Sequence, residues 1–323
     1  MDDRGTTSAR DGDGIDVLVL GGAGVDTIVY VPELPLPLAD SHMVPAIETR
    51  AGQTGDFVTV GLHALGLRTH HLDMLGDDHE GELVRALHRE RGIPLTEVLL
   101  PAGTKRAVNL VGPDGRRLSL YDSTRARDAD RLPPDTVRAL AVNARHVHVS
   151  LTQPCVHTLP LLEELRTGTA GTGGPGPTVS TDLHDWDGAD PYHEPFALAA
   201  DVVFLSAAAL PEPEKTMRRI AERGRARTVV VTAGAEGAYQ LVDGELSHVP
   251  AVEPAARVVD SNGAGDAFAA GYLFGMLTGE PPSRCGLYGA IAGAHACTVP
   301  ATVTHPVARE ELLARAARAR PRG

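Results

Sequence analysis

Short apolar runs alternate with longer amphipathic stretches along most of this sequence. Apolar runs of about five residues that stop at glycine or polar residues are typical of buried strands, whereas apolar residues three and four positions apart are typical of helices. The pattern predicts strands at 16–20, 26–31, 69–75, 98–100, 147–150, 178–182, 201–205, 228–232 and 257–260. It predicts helices at 54–65, 80–91, 156–166 and 214–223, and three more that begin near residues 265, 283 and 308.

Two segments, at about 28–50 and 105–124, are rich in strand-forming residues but do not alternate with helices. In the second, residues 107–111 and 116–121 flank the turn sequence Pro113-Asp114-Gly115, which predicts a hairpin. We therefore expect an α/β fold with three αβα layers, in which a mostly parallel, Rossmann-like sheet has helices on both faces. The two segments are expected to pair as a small accessory β lid over the carboxyl ends of the central strands, where ligands bind in such folds.

The polar and acidic residues 1–14 predict a disordered tail, and residues 15–320 predict one domain that carries both lid segments as insertions. The start of the chain lacks the apolar core of a signal peptide, and no stretch approaches the roughly 18 apolar residues of a membrane span. The three scattered cysteines, Cys155, Cys285 and Cys297, form no disulfide or zinc pattern. These features predict a cytoplasmic protein.

The net charge and the small number of lysines exclude several classes of function. The 323 residues include 30 basic and 42 acidic side chains, so the formal charge is 30 − 42 = −12. Only Lys105 and Lys215 are lysines, and neither follows a glycine-rich run, which excludes the P-loop NTPases. An acidic chain without a basic cluster is also a poor partner for nucleic acid or anionic membranes, so we expect neither.

The strongest chemical signal is DSNGAGDAF at residues 260–268. A Gly-Ala-Gly run at the start of a helix lets backbone N–H groups approach an anion, and the helix dipole adds partial positive charge. We predict phosphoryl transfer, in which the N–H groups of Gly263, Ala264 and Gly265 stabilise the transferred group and Asp266 takes the proton of the attacking hydroxyl. The alternative is an aspartate that only caps a helix.

Residues 260–271 (DSNGAGDAFAAG) are similar to the D-T-x-G-A-G-D-x-F-x-x-G signature of the ribokinase-like (PfkB) family of carbohydrate kinases. These enzymes transfer the γ-phosphate of ATP to a sugar or nucleoside hydroxyl without a P-loop. Further similar segments follow in family order at 22–26 (GAGVD), 50–66 (RAGQTGDFVTVGLHALG), 76–81 (GDDHEG) and 229–237 (VVVTAGAEG). The resemblance covers about residues 16–300 and implies an ATP-dependent phosphotransferase that acts on a ketohexose-like or ribose-like sugar.

The resemblance also implies an acceptor site. Asp26 corresponds to an aspartate that binds acceptor hydroxyls, and the Asp40-Ser41 pair matches the lid strand of the ketohexokinase-like branch. Asp56 stands where the family has an asparagine, and an aspartate accepts hydrogen bonds but does not donate them at neutral pH. From their position after the hairpin turn, Arg116 or Arg117 could also reach the site, and Arg117 is taken as the candidate. The predicted acceptor-binding residues are Asp26, Asp40, Gly52, Gln53, Asp56 and Arg117.

Alternatives remain open for three of these residues. Asp26 is also read as a plain turn residue. A dinucleotide fingerprint is disfavoured, because it would need a third glycine and a helix after the GAG run, whereas TIVYV continues as a strand. Asp40 is equally well read as an exposed loop carboxylate, and Arg117 as a solvated hairpin arginine. Asp182, at the end of a predicted central strand, could also face the cleft.

On the nucleotide side, the resemblance implies contacts from Thr232, Gly234, Gly237 and Asn262 with ATP. It places Asp260 near a monovalent-cation site of some relatives, where K⁺ would bind. Residues 201–210 (DVVFLSAAAL) lack the N-x-x-E motif that organises Mg²⁺ in many members, so we expect ATP oxygens and water to hold the Mg²⁺. The ketohexokinase-like branch also lacks this motif.

Two alternative functions follow from the same scaffold. A nucleoside kinase would use the same residues on a different acceptor. A non-catalytic sugar-binding member would explain the missing N-x-x-E and the aspartate at position 56, although it would have no need of Asp266. The exposed strand edges of a lid favour pairing with a second subunit, so we also expect a homodimer through the lid.

Overall fold

The computed structural model describes residues 14–125, 127–168, 176–300 and 305–319. Apart from Gly14, the predicted tail at 1–14 lies outside these residues. The strands are β1 (Ile15–Leu20), β2 (Val25–Tyr30), β3 (Ala46–Ala51), β4 (Thr69–Leu75), β5 (Leu95–Leu99), β6 (Arg106–Val111), β7 (Arg117–Tyr121), β8 (Ala144–Val149), β9 (Thr178–Asp182), β10 (Val202–Ser206), β11 (Thr228–Thr232), β12 (Ala238–Val242) and β13 (Glu245–Val249).

The helices separate most of these strands. They are α1 (Thr54–Ala64), α2 (His79–Arg91), α3 (Pro134–Ala141), α4 (Gln153–Val156), α5 (Leu159–Arg166), α6 (Glu194–Ala199), α7 (Pro213–Arg223), α8 (Ala264–Leu277), α9 (Pro282–Ala296) and α10 (Arg309–Arg318). None of the helices in the described ranges is both long and apolar enough to cross a membrane.

The main sheet has the strand order β13-β12-β11-β10-β9-β8-β1-β4-β5. It is parallel from β11 to β5, and β12 and β13 add an antiparallel hairpin at one edge. Successive residues of β1 point into opposite layers, since Leu18 and Leu20 pack with α3, α5, α6 and α7, whereas Val17 and Val19 pack with α1, α8, α9 and α10. The predicted three-layer α/β fold is confirmed.

The two segments that interrupt the alternation form the accessory sheet, with the order β3-β2-β6-β7. Strands β2 and β6 pair in parallel at its centre, and β3 and β7 pair antiparallel at its edges. Its inner face is buried at the two central strands, where Ile28 and Asn109 are both at most 4% exposed. The short connection from β1 through residues 21–24 joins this sheet to the centre of the main sheet. The predicted lid is therefore present, and it is attached beside the carboxyl end of β1.

Two predicted elements are wrong. Residues 257–260 form no strand, because this segment has no strand neighbour in the described part of the chain, and Val258 and Val259 stay about half exposed. The N–H of Val259 bonds instead to the carbonyl of Cys297, after α9. The predicted helix at 156–166 is interrupted between α4 and α5, because Pro160 has no N–H to continue the helical ladder. Helices α3 and α6 were not predicted.

Candidate active site

Helix α8 points its N-terminus into the space between the main sheet and the lid. Gly263 is the N-cap, and its φ of 74° is a left-handed conformation that favours glycine. A Cβ built on Gly265 would meet no atom within 4 Å, so the first turn faces open space. The N–H of Ala264 donates to the Ser261 carbonyl at 3.2 Å, which leaves Gly263 and Gly265 as the better-placed donors for an anion.

Asp266 lies in this first turn and is 8% exposed. Its Oδ1 atom is buried and has no hydrogen-bond partner among the described residues. Burial, followed by the negative charge of Asp182, raises the pKa of Asp266 well above its usual range, against the opposing charge of Arg117. A buried carboxylate with a free oxygen and a raised pKa is poised to accept a proton.

Asp182 ends β9, and only 8% of it is exposed. Its Oδ1 accepts the backbone N–H of His184 at 2.8 Å, and its charge reaches both Asp266 and His148. The predicted site residues do not include Asp182, although its position at the carboxyl end of a central parallel strand is the signal that identifies it. Two carboxylates therefore face the same region from β9 and α8.

Asp26 lies on β2 at the inner face of the lid and is 7% exposed. Its Oδ1 accepts the Gln53 side-chain N–H at 3.0 Å, and it accepts a second bond from the Asn109 side chain. Burial raises the pKa of Asp26 to about 6, against these two hydrogen bonds. Gly52 joins this group through its N–H, which donates to the Gly24 carbonyl at 2.9 Å. Asn109 was not predicted, and a polar residue among the apolar residues of β6 is the signal for it.

Asp56 is fully buried below this group, in the first turn of α1. Its Oδ1 accepts a bond from His88 Nε2 at 2.8 Å and lies 3.4 Å from His71 Nδ1. Its Oδ2 accepts the backbone N–H groups of Gly24 at 3.2 Å and Gln53 at 3.4 Å. Burial alone would raise the pKa of Asp56, but the bonds and charges of the two histidines hold it well below its usual range. Both carboxylate oxygens therefore face the protein interior.

The lid contacts the loop before α8 through two polar links. Arg117 donates from Nη1 to Asn262 Oδ1 at 2.6 Å, across 145 residues of sequence. The Tyr30 hydroxyl donates to Asp260 Oδ2 at 3.4 Å and accepts a bond from Arg50. The second oxygen of Asp260 accepts the N–H of Asn262 at 2.8 Å. Burial is the largest cause that raises the pKa of Asp260, which is only 2% exposed.

Three of the predicted nucleotide residues, Thr232, Gly234 and Gly237, lie at the end of β11 and in the turn that follows it. The Thr232 hydroxyl donates to the Leu205 carbonyl at 3.5 Å. A Cβ on Gly234 would meet open space, whereas a Cβ on Gly237 would lie 2.2 Å from the Val249 carbonyl oxygen. Gly237 is thus required by the packing of the turn against β13, and Gly234 leaves the surface of the turn open.

Comparison with known proteins identifies the family. The model for pfkB family carbohydrate kinases matches residues 15–308. This chain belongs to the PfkB family of carbohydrate kinases. Over 304 residues the kinase is 58% identical to an acarbose 7(IV)-phosphotransferase of Actinoplanes sp., covering 94% of this chain and 98% of the relative.

Solved structures agree with this assignment. The kinase is similar to a microbiome-derived acarbose kinase, with a TM-score of 0.84 and 42% identity over 94% of this chain and 99% of that one. A ribokinase of Arabidopsis thaliana in complex with ribose and ATP has a TM-score of 0.76 over 94% of this chain and 99% of that one, and at 20% identity it shows the shared fold alone. The predicted family and the predicted enzyme class are confirmed.

In the kinase, the structure brings several of the predicted residues together. Asp26, Gly52 and Gln53 form a single hydrogen-bonded group, and Arg117 reaches the loop before α8. Asp40 is exposed in the segment between β2 and β3, and no hydrogen bond or ion pair of the described residues connects it to the other predicted site residues. Tyr30, Arg50 and Tyr121 are near the cleft but were not predicted, and no sequence signal distinguishes them from ordinary strand residues.

Proposed function

We propose that this carbohydrate kinase transfers the γ-phosphate of ATP to a hydroxyl of acarbose. The observation that carries the proposal is the 58% identity to the acarbose 7(IV)-phosphotransferase over nearly the full length of both chains. The designation 7(IV) refers to a fourth unit, which implies an acceptor much larger than ribose or a hexose. The comparisons do not support a ketohexose-like or ribose-like acceptor in preference to this one, and that acceptor stays a prediction.

We propose Asp266 as the general base. Its unpartnered Oδ1 accepts the proton of the acceptor hydroxyl while the oxygen attacks the γ-phosphorus, and the bond from phosphorus to the ADP oxygen breaks. The N–H groups of Gly263 and Gly265 stabilise the negative charge of the transferred group. Ala264 completes the cradle once its N–H leaves the Ser261 carbonyl.

We propose that the acceptor binds between the lid and α8. Asp26 accepts hydrogen bonds from acceptor hydroxyls, and Gly52, Gln53 and Arg117 surround it. Asp56 lies below these residues and acts on them through its hydrogen bonds to the backbone N–H groups of Gly24 and Gln53. Tyr121 is 73% exposed and lies close enough to Asp26 and Asp266 for their charges to act on it, so we propose that its ring contacts a large acceptor. Asp40, which is exposed between β2 and β3, stays a predicted acceptor residue.

For the nucleotide we propose contacts from Thr232, Gly234, Gly237 and Asn262. The family implies ATP as co-substrate, and Mg²⁺ would neutralise charge on its phosphates. Residues 207–209 are alanines in a short 3₁₀ helix, and the Ser206 hydroxyl is already bonded to the Ala208 N–H. ATP oxygens and water are therefore the proposed Mg²⁺ ligands. Asp260 stays the proposed neighbour of a K⁺ site.

The proposal is tested by product analysis. The purified protein is incubated with ATP, MgCl₂ and acarbose, and the product is examined by ³¹P and two-dimensional NMR. We expect one new phosphomonoester, attached to acarbose, for each ADP formed. Fructose, ribose and adenosine are tested in parallel under the same conditions. Phosphorylation of adenosine instead of acarbose would favour the nucleoside-kinase alternative and overturn the proposal.

A further inference from the structure

Two buried carboxylates lie below the loop that leads from β1 into the lid, residues 21–26. Asp56 accepts the Gly24 N–H at 3.2 Å, and Asp73 accepts the Ala23 N–H at 2.7 Å. Both aspartates are fully buried. Two consecutive backbone N–H groups of this segment therefore donate to buried carboxylates, and the segment continues into β2, where Asp26 is the second residue.

The two carboxylates have different cationic partners. Asp73 is paired with Lys105, whose Nζ lies 2.9 Å and 3.0 Å from its two oxygens. Asp56 is instead paired with His71 and His88, whose ring nitrogens lie 3.4 Å and 2.8 Å from its Oδ1. Histidine, unlike lysine, changes its charge near neutral pH. Of the two carboxylates, only Asp56 therefore has partners whose charge changes near neutral pH.

The hydrogen bonds define where the protons of this cluster lie. His71 Nε2 faces the Gly21 carbonyl at 3.0 Å, and a carbonyl only accepts, so His71 Nε2 carries a hydrogen. His88 Nε2 faces the Asp56 carboxylate and also carries one. His88 Nδ1 is buried and has no hydrogen-bond partner among the described residues, so a proton there would be unpaired. His71 Nδ1, which lies 3.3 Å from His88 Nε2, is therefore the atom that gains or loses the titrating proton. When it is protonated, it donates toward Asp56.

We propose that the cluster of Asp56, His71 and His88 positions residues 22–26 and Gln53 for acceptor binding without contacting the acceptor. The cluster contacts both residues 22–26 and Gln53, since Asp56 accepts the Gly24 N–H and the Gln53 N–H. Gln53 in turn donates to Asp26. This inference rests on the proposed acceptor role of Asp26. It assigns His71 and His88 as positioning residues, and it explains why an aspartate replaces the family asparagine at position 56.

The proposal predicts a pH effect on the acceptor side. The hydrogen bond and charge of Asp56, and then the charge of Asp73, raise the pKa of His71 above its usual value even though burial opposes this. As the pH rises through that value, Nδ1 loses its proton and the bond toward Asp56 is lost. The other charged or titratable groups that act on the cluster are Asp26, Asp73, Lys105, His70 and His148.

The test compares Asp56→Asn, His71→Gln and His88→Gln with His146→Gln. His146 is an equally buried histidine of the same sheet, bonded to Thr178 and Ser180 and remote from the loop. We expect the three cluster variants to raise KM for the acceptor about tenfold, which corresponds to one lost charged hydrogen bond, and to leave KM for ATP within about twofold. The His146 variant is expected to leave both unchanged.

The pH profile and hydrogen exchange complete the test. In the wild type, KM for the acceptor should rise as the pH increases through the pKa of His71, which lies above the usual histidine value, while KM for ATP stays flat, and Asp56→Asn should remove this rise. Exchange of the Gly24 and Gln53 amides, measured without any acceptor, should be faster in the cluster variants and unchanged in His146→Gln. Equal effects on both KM values, or unchanged exchange at Gly24, would overturn the proposal.

Failure of the proposed function gives a different result. If the wild type phosphorylates another sugar in place of acarbose, the acceptor assignment is wrong, and the same KM comparison is made with that sugar. If the variants do not fold, the wild-type pH profile decides, because it needs no substitution. A wild-type acceptor KM that stays constant as the pH is raised well above the usual histidine pKa would contradict the positioning role.

Discussion

Asp266 combines a free carboxylate oxygen with deep burial and an anion-binding helix start. Asp266→Asn keeps the size and the position of the side chain but cannot take a proton. We expect kcat to fall by about 10²-fold to 10⁴-fold, the usual range for a general base, with little change in KM for ATP. Steady-state kinetics with a coupled ADP assay measures this. A variant that retains more than a tenth of the wild-type kcat would show that Asp266 is not the base.

Asp26 gives a second prediction at the level of a single residue. Because burial raises its pKa to about 6, Asp26 is ionised above that pH and increasingly protonated below it. The ionised form accepts hydrogen bonds from acceptor hydroxyls, so acceptor affinity should fall as the pH drops through 6. Calorimetry without ATP measures this binding separately from the proton transfer to Asp266.

The control for this prediction is Asp26→Asn. We expect it to bind the acceptor about 10-fold to 100-fold more weakly at neutral pH and to show no transition near pH 6, because a bond to a charged group contributes about 1.5–3 kcal/mol. A transition of the same size in both proteins would assign the effect to another group.

The sequence was sufficient to identify residues whose chemical role depends on their neighbours in the chain. Asp266 and Gly263 lie in one short motif, so their roles follow from neighbouring positions. Asp182 and Asn109 reach the site only through the packing of β9 and β6, and the link from Tyr30 to Asp260 joins residues 230 positions apart. Asp56 shows the same limit, since only the structure shows that both of its oxygens face histidines and backbone N–H groups.

Among the elements, helix α8 depends on two glycines for different reasons. Gly263 needs its left-handed backbone, so Gly263→Ala should lower the free energy of unfolding by about 1–2 kcal/mol. Gly265 lies inside the helix with open space around it, so Gly265→Ala should raise the free energy of unfolding slightly. The methyl group of the new alanine would nevertheless lie where the transferred phosphate is proposed to approach the backbone.

Both variants should therefore lose activity, but only Gly263→Ala should lose stability. Urea denaturation and steady-state kinetics on the same preparations separate the two effects. A Gly265→Ala protein with wild-type turnover would show that the first turn of α8 does not hold the transferred phosphate.

Element prediction succeeded where local pattern and tertiary packing agree. Strands β4, β9 and β11 lie at the predicted residues because their apolar runs are buried in the parallel sheet. Residues 257–260 have the same β-branched pattern, but among the described residues no strand pairs with them to form a ladder. Strand propensity measures the fit to a sheet, so it cannot report whether a partner is present.

For the whole molecule, the homodimer was predicted through the strand edges of the lid, and we now propose the outer face of the lid as the dimer surface. Ile47, Val108, Leu118 and Leu120 lie on this face and are between 36% and 64% exposed. We expect the wild type to elute at twice the chain mass in size-exclusion chromatography with light scattering. Leu120→Lys should shift it to the monomer, because a charge at the centre of an apolar interface is costly.

Leu99→Lys is the matched control, since Leu99 is also an exposed leucine, at 62%, but lies at the end of an edge strand of the main sheet. The Leu99→Lys protein should remain dimeric. A wild type that is monomeric at all concentrations, or a Leu120→Lys protein that is still dimeric, would exclude this surface.

The central claim concerns the acceptor, and it is tested most directly by kcat/KM values measured with one preparation under saturating MgATP. The account predicts that kcat/KM for acarbose exceeds the values for fructose, ribose and adenosine by at least about a hundredfold, since a site built for several sugar units leaves its polar groups unpaired with a smaller acceptor. A value for acarbose at or below the value for any of the other three would contradict it.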